Sequence, residues 1–407
     1  MDYFDSYHFL RKKVNYDDDI IKIDETLSCH NFSFHSDSGY ILPGAKDYSC
    51  REHDFASSNQ AEWIYDHSRF NPLLDSPDVH IIENNRFRYH VFVPERPAPI
   101  RDVVIYLNGF NEKYWTKHFP WAKKIAEDTG KTVVLFPMAF HMNRAPHEWS
   151  DPRVMHQVSR ERQERFPDII SSTLSNVAIS TRLHAKPQRY FWSGLQAYYD
   201  VIQLVDQIKR GEHPLIPAGV SFDFFAYSIG NLLAQVLLMT NHKGYFNRSR
   251  LALFCGGAVF NRMSPVSRSI LDSEANVALY SYVVEHIESH LKKDARLRHY
   301  LGEDHPEGYN LLSMINYKLM LEHREKIFRS MNDRILAIAL VHDSVIPPYE
   351  VMNTLKGINR DIPIPVEVMD YPYPYSHEEP FPVIEKIRDQ VDQMFRKTFD
   401  RFCEFLD

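Results

Sequence analysis

The spacing of apolar residues changes character at His80. Residues 1–75 are polar and aromatic with little periodicity, apart from a helix-like stretch around Ala61-Glu62-Trp63-Ile64-Tyr65. They read as an N-terminal extension packed on a later core. Residues 80–83 and 87–93 predict two strands joined by the turn-forming pair Asn84-Asn85, with Pro94, Pro97 and Pro99 ending the second. Short apolar runs then follow at 103–107, 132–136, 222–227, 251–254 and 335–341, as suits strands buried on both faces of a parallel sheet. Residues 366–369 alternate and predict a strand nearer the edge. Amphipathic helices fall between the strands: Ile229, Leu232, Leu233, Val236 and Leu237 repeat with helical spacing. A C-terminal helix presents Ile384, Ile387, Val391, Met394, Phe395 and Phe402 to the core. The alternation predicts an α/β three-layer fold with a mostly parallel central sheet and right-handed crossovers.

Two segments interrupt it. Residues 138–191 form a connection too long for an ordinary loop, and 257–330 read as largely helical, over 271–301 and 311–327. Both follow strands, on the side of the sheet where α/β proteins carry ligand sites. The predicted division is an extension at 1–75, a core at 76–256 and 331–407, and a helical insertion at 257–330.

The 407 residues, 44% apolar and 25% charged, have the balance of a soluble globular protein. A net charge of −7 offers no basic field to a phosphate backbone, which argues against nucleic acid as a partner. Cys29, Cys50, Cys255 and Cys403 are scattered without a CxxC pair, so neither a disulfide framework nor a closely spaced zinc motif is expected. The first residues lack the basic start and apolar core of a signal peptide. The longest clean apolar run, 335–341, is far short of a bilayer span, and a cytoplasmic protein without a membrane span is expected.

The stretch Phe224-Phe225-Ala226-Tyr227-Ser228-Ile229-Gly230 takes the chain from a buried strand into a helix, with one serine at the corner. So tight a turn strains the serine backbone and pushes its hydroxyl outward. It also needs small residues two places before and after, and Ala226 and Gly230 comply. The helix N-terminus that follows favours negative charge beside Ser228. An ordinary N-cap serine fits the same place, and this stretch alone does not separate the two. A serine nucleophile needs a base, and an acid that holds the base. Strand 335–341 runs into His342-Asp343-Ser344-Val345-Ile346-Pro347-Pro348. Strand 366–369 leads through Tyr371-Pro372-Tyr373-Pro374-Tyr375 to Ser376-His377-Glu378. Ser228, Asp343 and His377 thus follow the chain order of a strand–turn–helix serine hydrolase.

On these residues the chain resembles the α/β-hydrolase superfamily, bacterial members in particular, over roughly 80–407. The resemblance implies Ser228 as nucleophile, His377 as general base and Asp343 as orienting acid. It also implies an oxyanion hole built from the Ile229 N–H and a second amide in Asn108-Gly109-Phe110-Asn111, for which Phe110 is nominated. Many members carry His-Gly in that loop, and Asn108-Gly109 is also a plain turn signal. Residues 257–330 take the position of a helical cap. Ala226 stands where glycine is usual, and Asp370 ends a strand and competes with Asp343. The tyrosine–proline loop either stiffens the site or blocks it.

The implied activity is hydrolysis of a carboxylic ester, thioester or related acyl bond of a small molecule, through an acyl-enzyme and without a metal or organic cofactor. A non-catalytic binding protein of the same fold with an occluded site is the rival. Metal-dependent hydrolysis through His141, His147, His156 and Asp151 is another, although their spacing fits no ligand motif. His286 and His290 stand one helical turn apart, as a polar helix face also would. Trp149, Tyr190, Phe191 and Trp192 suit either an acyl pocket or core packing. Nothing in the sequence sets the oligomeric state.

Overall fold

The computed structural model describes residues 1–44, 47–58, 74–96 and 99–407; the helix-like stretch at 61–65 and Pro97 lie outside the described residues. The strands are β1 Ile20–Lys22, β2 Leu27–His35, β3 Asp47–Ser49, β4 Ala56–Ser58, β5 Arg86–Pro94, β6 Asp102–Leu107, β7 Thr132–Leu135, β8 Ser221–Tyr227, β9 Leu251–Phe254, β10 Ile335–Leu340 and β11 Val366–Met369. Among the described residues nine of them form one sheet, in the order β1-β2-β5-β7-β6-β8-β9-β10-β11, and β3 pairs with β4 apart from it. From β7 to β11 the pairings are parallel, and β1, β2, β5 and β7 join antiparallel.

The helices are α1 Tyr3–Lys13, α2 Ile82–Asn85, α3 Phe119–Thr129, α4 Pro152–Arg165, α5 Val177–Ala185, α6 Arg189–Lys209, α7 Gly230–Thr240, α8 Ser273–Tyr280, α9 Ile287–Lys293, α10 Ala295–Tyr300, α11 Pro306–Ser313, α12 Leu321–Ser330, α13 Pro348–Leu355 and α14 Arg388–Leu406. Successive side chains of each central strand enter different cores. Phe222, Phe224 and Ala226 of β8 pack with α6 and α7, whereas Phe225 and Tyr227 pack with α3 and α14. Burial on both faces explains why these strands are apolar throughout. The result is a three-layer α/β-hydrolase fold. Among the described residues no helix is long and apolar enough to cross a membrane.

Several local expectations are corrected. The sequence places residues 20–35 in an extension resting on the core; the structure pairs β1 and β2 into the sheet, β2 lying against β5. The polar make-up of β2 hides it, because buried Asn31 donates its side-chain amide to the carbonyls of Asn15 and Asp18 at 2.8 and 2.6 Å and so bears burial. Residues 82–85 wind into α2 in place of a strand. Buried Asn84 spends its side chain on tertiary partners there, donating to Gln196 Oε1 at 2.7 Å and accepting from the Phe140 N–H at 2.9 Å. The helix expected over 271–301 breaks at His286, and again at Asp294, which caps α10 by accepting from the Leu297 N–H at 2.9 Å. The stretch at 311–327 divides between α11 and α12. Ile384 precedes α14 and is exposed. Helix α7 is buried all round because α11 covers the side the sheet leaves open.

One buried ion pair locks the connection after β7 to helix α6. Arg144 and Asp200 are both fully buried and meet at 2.6 Å, with Ser36 and Ser38 donating to the same carboxylate at 2.5 and 3.2 Å. Arg144 also donates to the Asn84 and Pro137 carbonyls. Asp200→Asn leaves a buried guanidinium without its counter-charge, at an expected cost of about 3–5 kcal/mol. Calorimetry checks this; a Tm loss no larger than that of an exposed Asp→Asn control contradicts it.

Candidate active site

Strand β8 ends at Tyr227 and α7 begins at Gly230, leaving Ser228 on the corner at φ 55°. The turn closes against the end of β6. A Cβ at position 230 would sit 2.6 Å from the Asn108 carbonyl oxygen and 2.8 Å from that of Leu107, so only glycine fits. Gly256 makes similar room on the other side, where a Cβ would lie 2.7 Å from the Ser228 carbonyl oxygen. The Ser228 N–H is fixed by the Phe254 carbonyl at 3.1 Å. Ser228 is no ordinary N-cap: Ile229 holds that position without a side-chain cap, and the Ser228 hydroxyl meets His377 Nε2 at 2.6 Å.

Asp343 and His377 reach the corner from the loops after β10 and β11. His377 Nδ1 lies 2.7 Å from Asp343 Oδ2, and Ser228, His377 and Asp343 are all buried. Asp343 is aimed by its own turn, where Oδ1 accepts the Val345 and Ile346 N–H groups at 2.9 and 2.8 Å before Pro347 and Pro348 start α13. Asp370 is not part of this chain of hydrogen bonds: it is exposed, accepts from the Tyr375 hydroxyl at 3.1 Å and lies 3.6 Å from His342. The tyrosine–proline loop stiffens the site. Tyr371 and Tyr373 are buried against Phe381, tied to Thr398 Oγ1 and the Pro380 carbonyl at 2.9 and 3.2 Å, and neither lines the cavities at Ser228.

Further groups, which sequence reading passed over, position the parts. The Tyr227 hydroxyl donates to the His377 carbonyl, and the two rings stack at 5.8 Å. Burial pushes the Tyr227 phenol well above its usual range, so it remains a donor. Glu112 accepts the Gly109 N–H at 2.6 Å and pairs with Lys117 Nζ at 2.6 Å, which itself donates to the Glu378 carbonyl at 2.7 Å. Burial raises the Glu112 carboxyl, but the neighbouring His118 and Lys117 outweigh it and hold Glu112 well below the ordinary range. This ionised carboxylate clamps the loop after β6 to the loop that carries His377. The same loop is pinned by Asn108 Oδ1, which accepts the Met138 N–H at 3.0 Å, and by Asn111 Nδ2, which donates to the Ser269 carbonyl at 2.6 Å. Such tertiary roles explain why Asn108-Gly109 is not a simple hairpin turn. The charges at 112 and 117 beside an apolar strand were the signal available in the sequence.

Two cavities meet at Ser228. One is lined by apolar side chains including Phe110, Tyr190, Phe260, Met263 and Ile270, with Ile229 beside them. The other, of mixed lining, opens past Asn111, Lys113, Lys117 and Glu378. Burial lowers the Lys113 ammonium to about 8. Neither the Ile229 nor the Phe110 N–H donates to another group among the described residues. Cys255, at the end of β9, is buried with its thiol pushed well up, so it supplies no thiolate beside the serine.

Of the aromatic candidates, Tyr190 lines the apolar cavity, Trp149 a separate one beside it, and Phe191 and Trp192 are core residues. His141, His147, His156 and Asp151 do not converge: Asp151 caps α4, His147 and His156 are exposed, and buried His141 places Nδ1 2.7 Å from the Ala139 carbonyl. His286 lies outside helical geometry and His290 stacks on Tyr282.

The model of a family of unknown function, DUF6051, matches residues 1–407. No curated protein matches the chain. Among solved structures it is similar to carboxyl esterase 2 from the mycorrhizal fungus Tuber melanosporum, at 11% identity over 79% of this chain and 82% of that one, with a TM-score of 0.40. It is similar to a hyperthermophilic esterase from the archaeon Pyrobaculum calidifontis at 11% identity, over 98% and 90% of the two chains, TM-score 0.40. A thermostable esterase from Pseudomonas putida shares 10% identity over 79% and 80%, TM-score 0.38.

Proposed function

The chain belongs to DUF6051, a family of unknown function, and we propose that it is a serine hydrolase acting on a carboxylic ester, thioester or related acyl bond. The observation that carries this reading is the run of contacts from Ser228 Oγ to His377 Nε2 at 2.6 Å and from His377 Nδ1 to Asp343 at 2.7 Å, opening onto an apolar cavity. His377 takes the hydroxyl proton as Ser228 Oγ attacks the acyl carbonyl, and Asp343 stabilises the imidazolium that forms. The tetrahedral oxyanion faces the Ile229 and Phe110 N–H groups, which carry no competing acceptor. The imidazolium then protonates the leaving alcohol or thiol as its bond to the acyl carbon breaks. Water, deprotonated by His377, releases the acid and restores Ser228. No metal or organic cofactor enters these steps.

The cavities divide the substrate: the acyl chain lies among Phe260, Met263 and Ile270, and the leaving group exits past Asn111 and Lys117. Residues 257–330 act as a cap that sets acyl length. Met263→Trp is expected to lower kcat/KM for octanoyl relative to acetyl esters at least tenfold, since mismatch costs about 1–3 kcal/mol per methylene in such pockets. An unchanged ratio across chain lengths places the acyl group elsewhere.

Fluorophosphonate labelling tests the proposal itself. Wild type should label covalently at Ser228, and Ser228→Ala and His377→Ala should not. Absence of labelling in folded wild type overturns it and favours a binding protein with an occluded site.

A further inference from the structure

Four donor side chains from distant stretches of the chain converge between the β3–β4 hairpin and the helices after β9. Cys50 and His53 come from the hairpin turn, His299 from α10, and His305 precedes α11. One ligand atom from each lies within 4.8 Å of all the others. His305 Nε2 is 3.2 Å from His53 Nδ1, 3.1 Å from His299 Nε2 and 3.5 Å from Cys50 Sγ, and Cys50 Sγ is 3.6 Å from His53 Nδ1. Zinc–nitrogen bonds of about 2.0–2.1 Å and zinc–sulfur bonds of about 2.3 Å at tetrahedral angles space the donors about 3.3–3.6 Å apart. These four spacings fall at or beside those values, and the Cys50–His299 and His53–His299 pairs lie within 4.8 Å.

Hydrogen bonding within the cluster does not account for it. His305 Nδ1 faces the Glu307 carboxylate at 2.7 Å, so that nitrogen carries the proton, and in the neutral ring Nε2 presents a lone pair. Three other donor atoms crowd that lone pair, which accepts one hydrogen bond. A shared cation resolves the crowding. Glu307 in turn accepts from the Tyr199 hydroxyl, and Phe55 stacks on His299 at 4.1 Å, so the ligands are oriented from behind.

We propose that Cys50, His53, His299 and His305 bind one zinc ion in a closed tetrahedral site that staples the β3–β4 hairpin to the helical insertion. One thiolate and three imidazoles suit zinc and exclude calcium and magnesium, which take oxygen ligands. The site is structural and separate from the serine chemistry, for none of its ligands lines either cavity at Ser228. The sequence conceals it because the four ligands come from two stretches far apart in the chain, neither of which is a complete zinc motif. The usable signal was Cys50-x-x-His53 paired with two histidines some 250 residues away.

The test uses untagged full-length protein purified without chelators. Elemental analysis should find one zinc per chain in wild type and less than a tenth of that in the Cys50→Ser/His305→Ala double variant. Cobalt substituted into wild type should give tetrahedral ligand-field bands and a thiolate charge-transfer band that Cys50→Ser abolishes. Glu307→Gln, which keeps the site's shape, should weaken zinc affinity about 10- to 100-fold in competition with a chromophoric chelator. This variant and the wild-type cobalt spectrum decide the question should the double variant not fold. Wild type that takes up no zinc, zinc retained at full stoichiometry in the folded double variant, or a different metal at one per chain would each overturn the proposal.

Discussion

Ser228→Ala should lower kcat for the best ester substrate by about six orders of magnitude, with His377→Ala close behind and the double variant no slower than either. The non-additivity follows from the 2.6 Å contact: hydroxyl and imidazole make one nucleophile, and losing either removes it. Alanine keeps the Cβ of serine at φ 55°, so the backbone is strained as before and the fold is expected to stand. Ser228→Gly should be equally inactive yet raise the Tm, because glycine adopts that conformation without penalty. Stopped-assay kinetics and calorimetry on the purified variants check both parts. A single variant within tenfold of wild type would remove Ser228 from the chemistry.

Asp343→Asn should cost about 10⁴-fold in kcat, while Asp370→Asn stays within twofold of wild type. The carboxylate of Asp343 accepts from two backbone N–H groups and faces His377 Nδ1, so it holds the imidazole in the tautomer that leaves Nε2 free for the serine proton. An amide at this position presents an N–H to the ring and selects the wrong tautomer. Asp370 touches neither His377 nor Ser228, and its exposed contacts to Tyr375 and His342 are screened by water. The reverse ranking of the two variants would transfer the acid's role to Asp370.

The central strands and the corner serine were legible because each is dictated locally. A strand buried on both faces must be apolar throughout, and a strand-to-helix corner at positive φ needs Gly230 beside it. Strand β2 was not legible, since its buried Asn31 is satisfied by carbonyls of the chain before it and looks polar in isolation. Nor was the division of 271–301, where His286 and Asp294 break a helix that its apolar spacing would have continued.

By itself, then, the sequence determined the alternation of strands and helices, the three-layer class, and the strand ends that carry Ser228, Asp343 and His377, because periodicity and turn chemistry act over a few residues. Tertiary structure alone decided that Lys117, paired with Glu112, reaches the Glu378 carbonyl and so clamps the loop beside the serine. It also decided that residues 50–53 and 299–305 lie together. These are contacts between segments far apart in the chain, and their distances depend on how the layers pack.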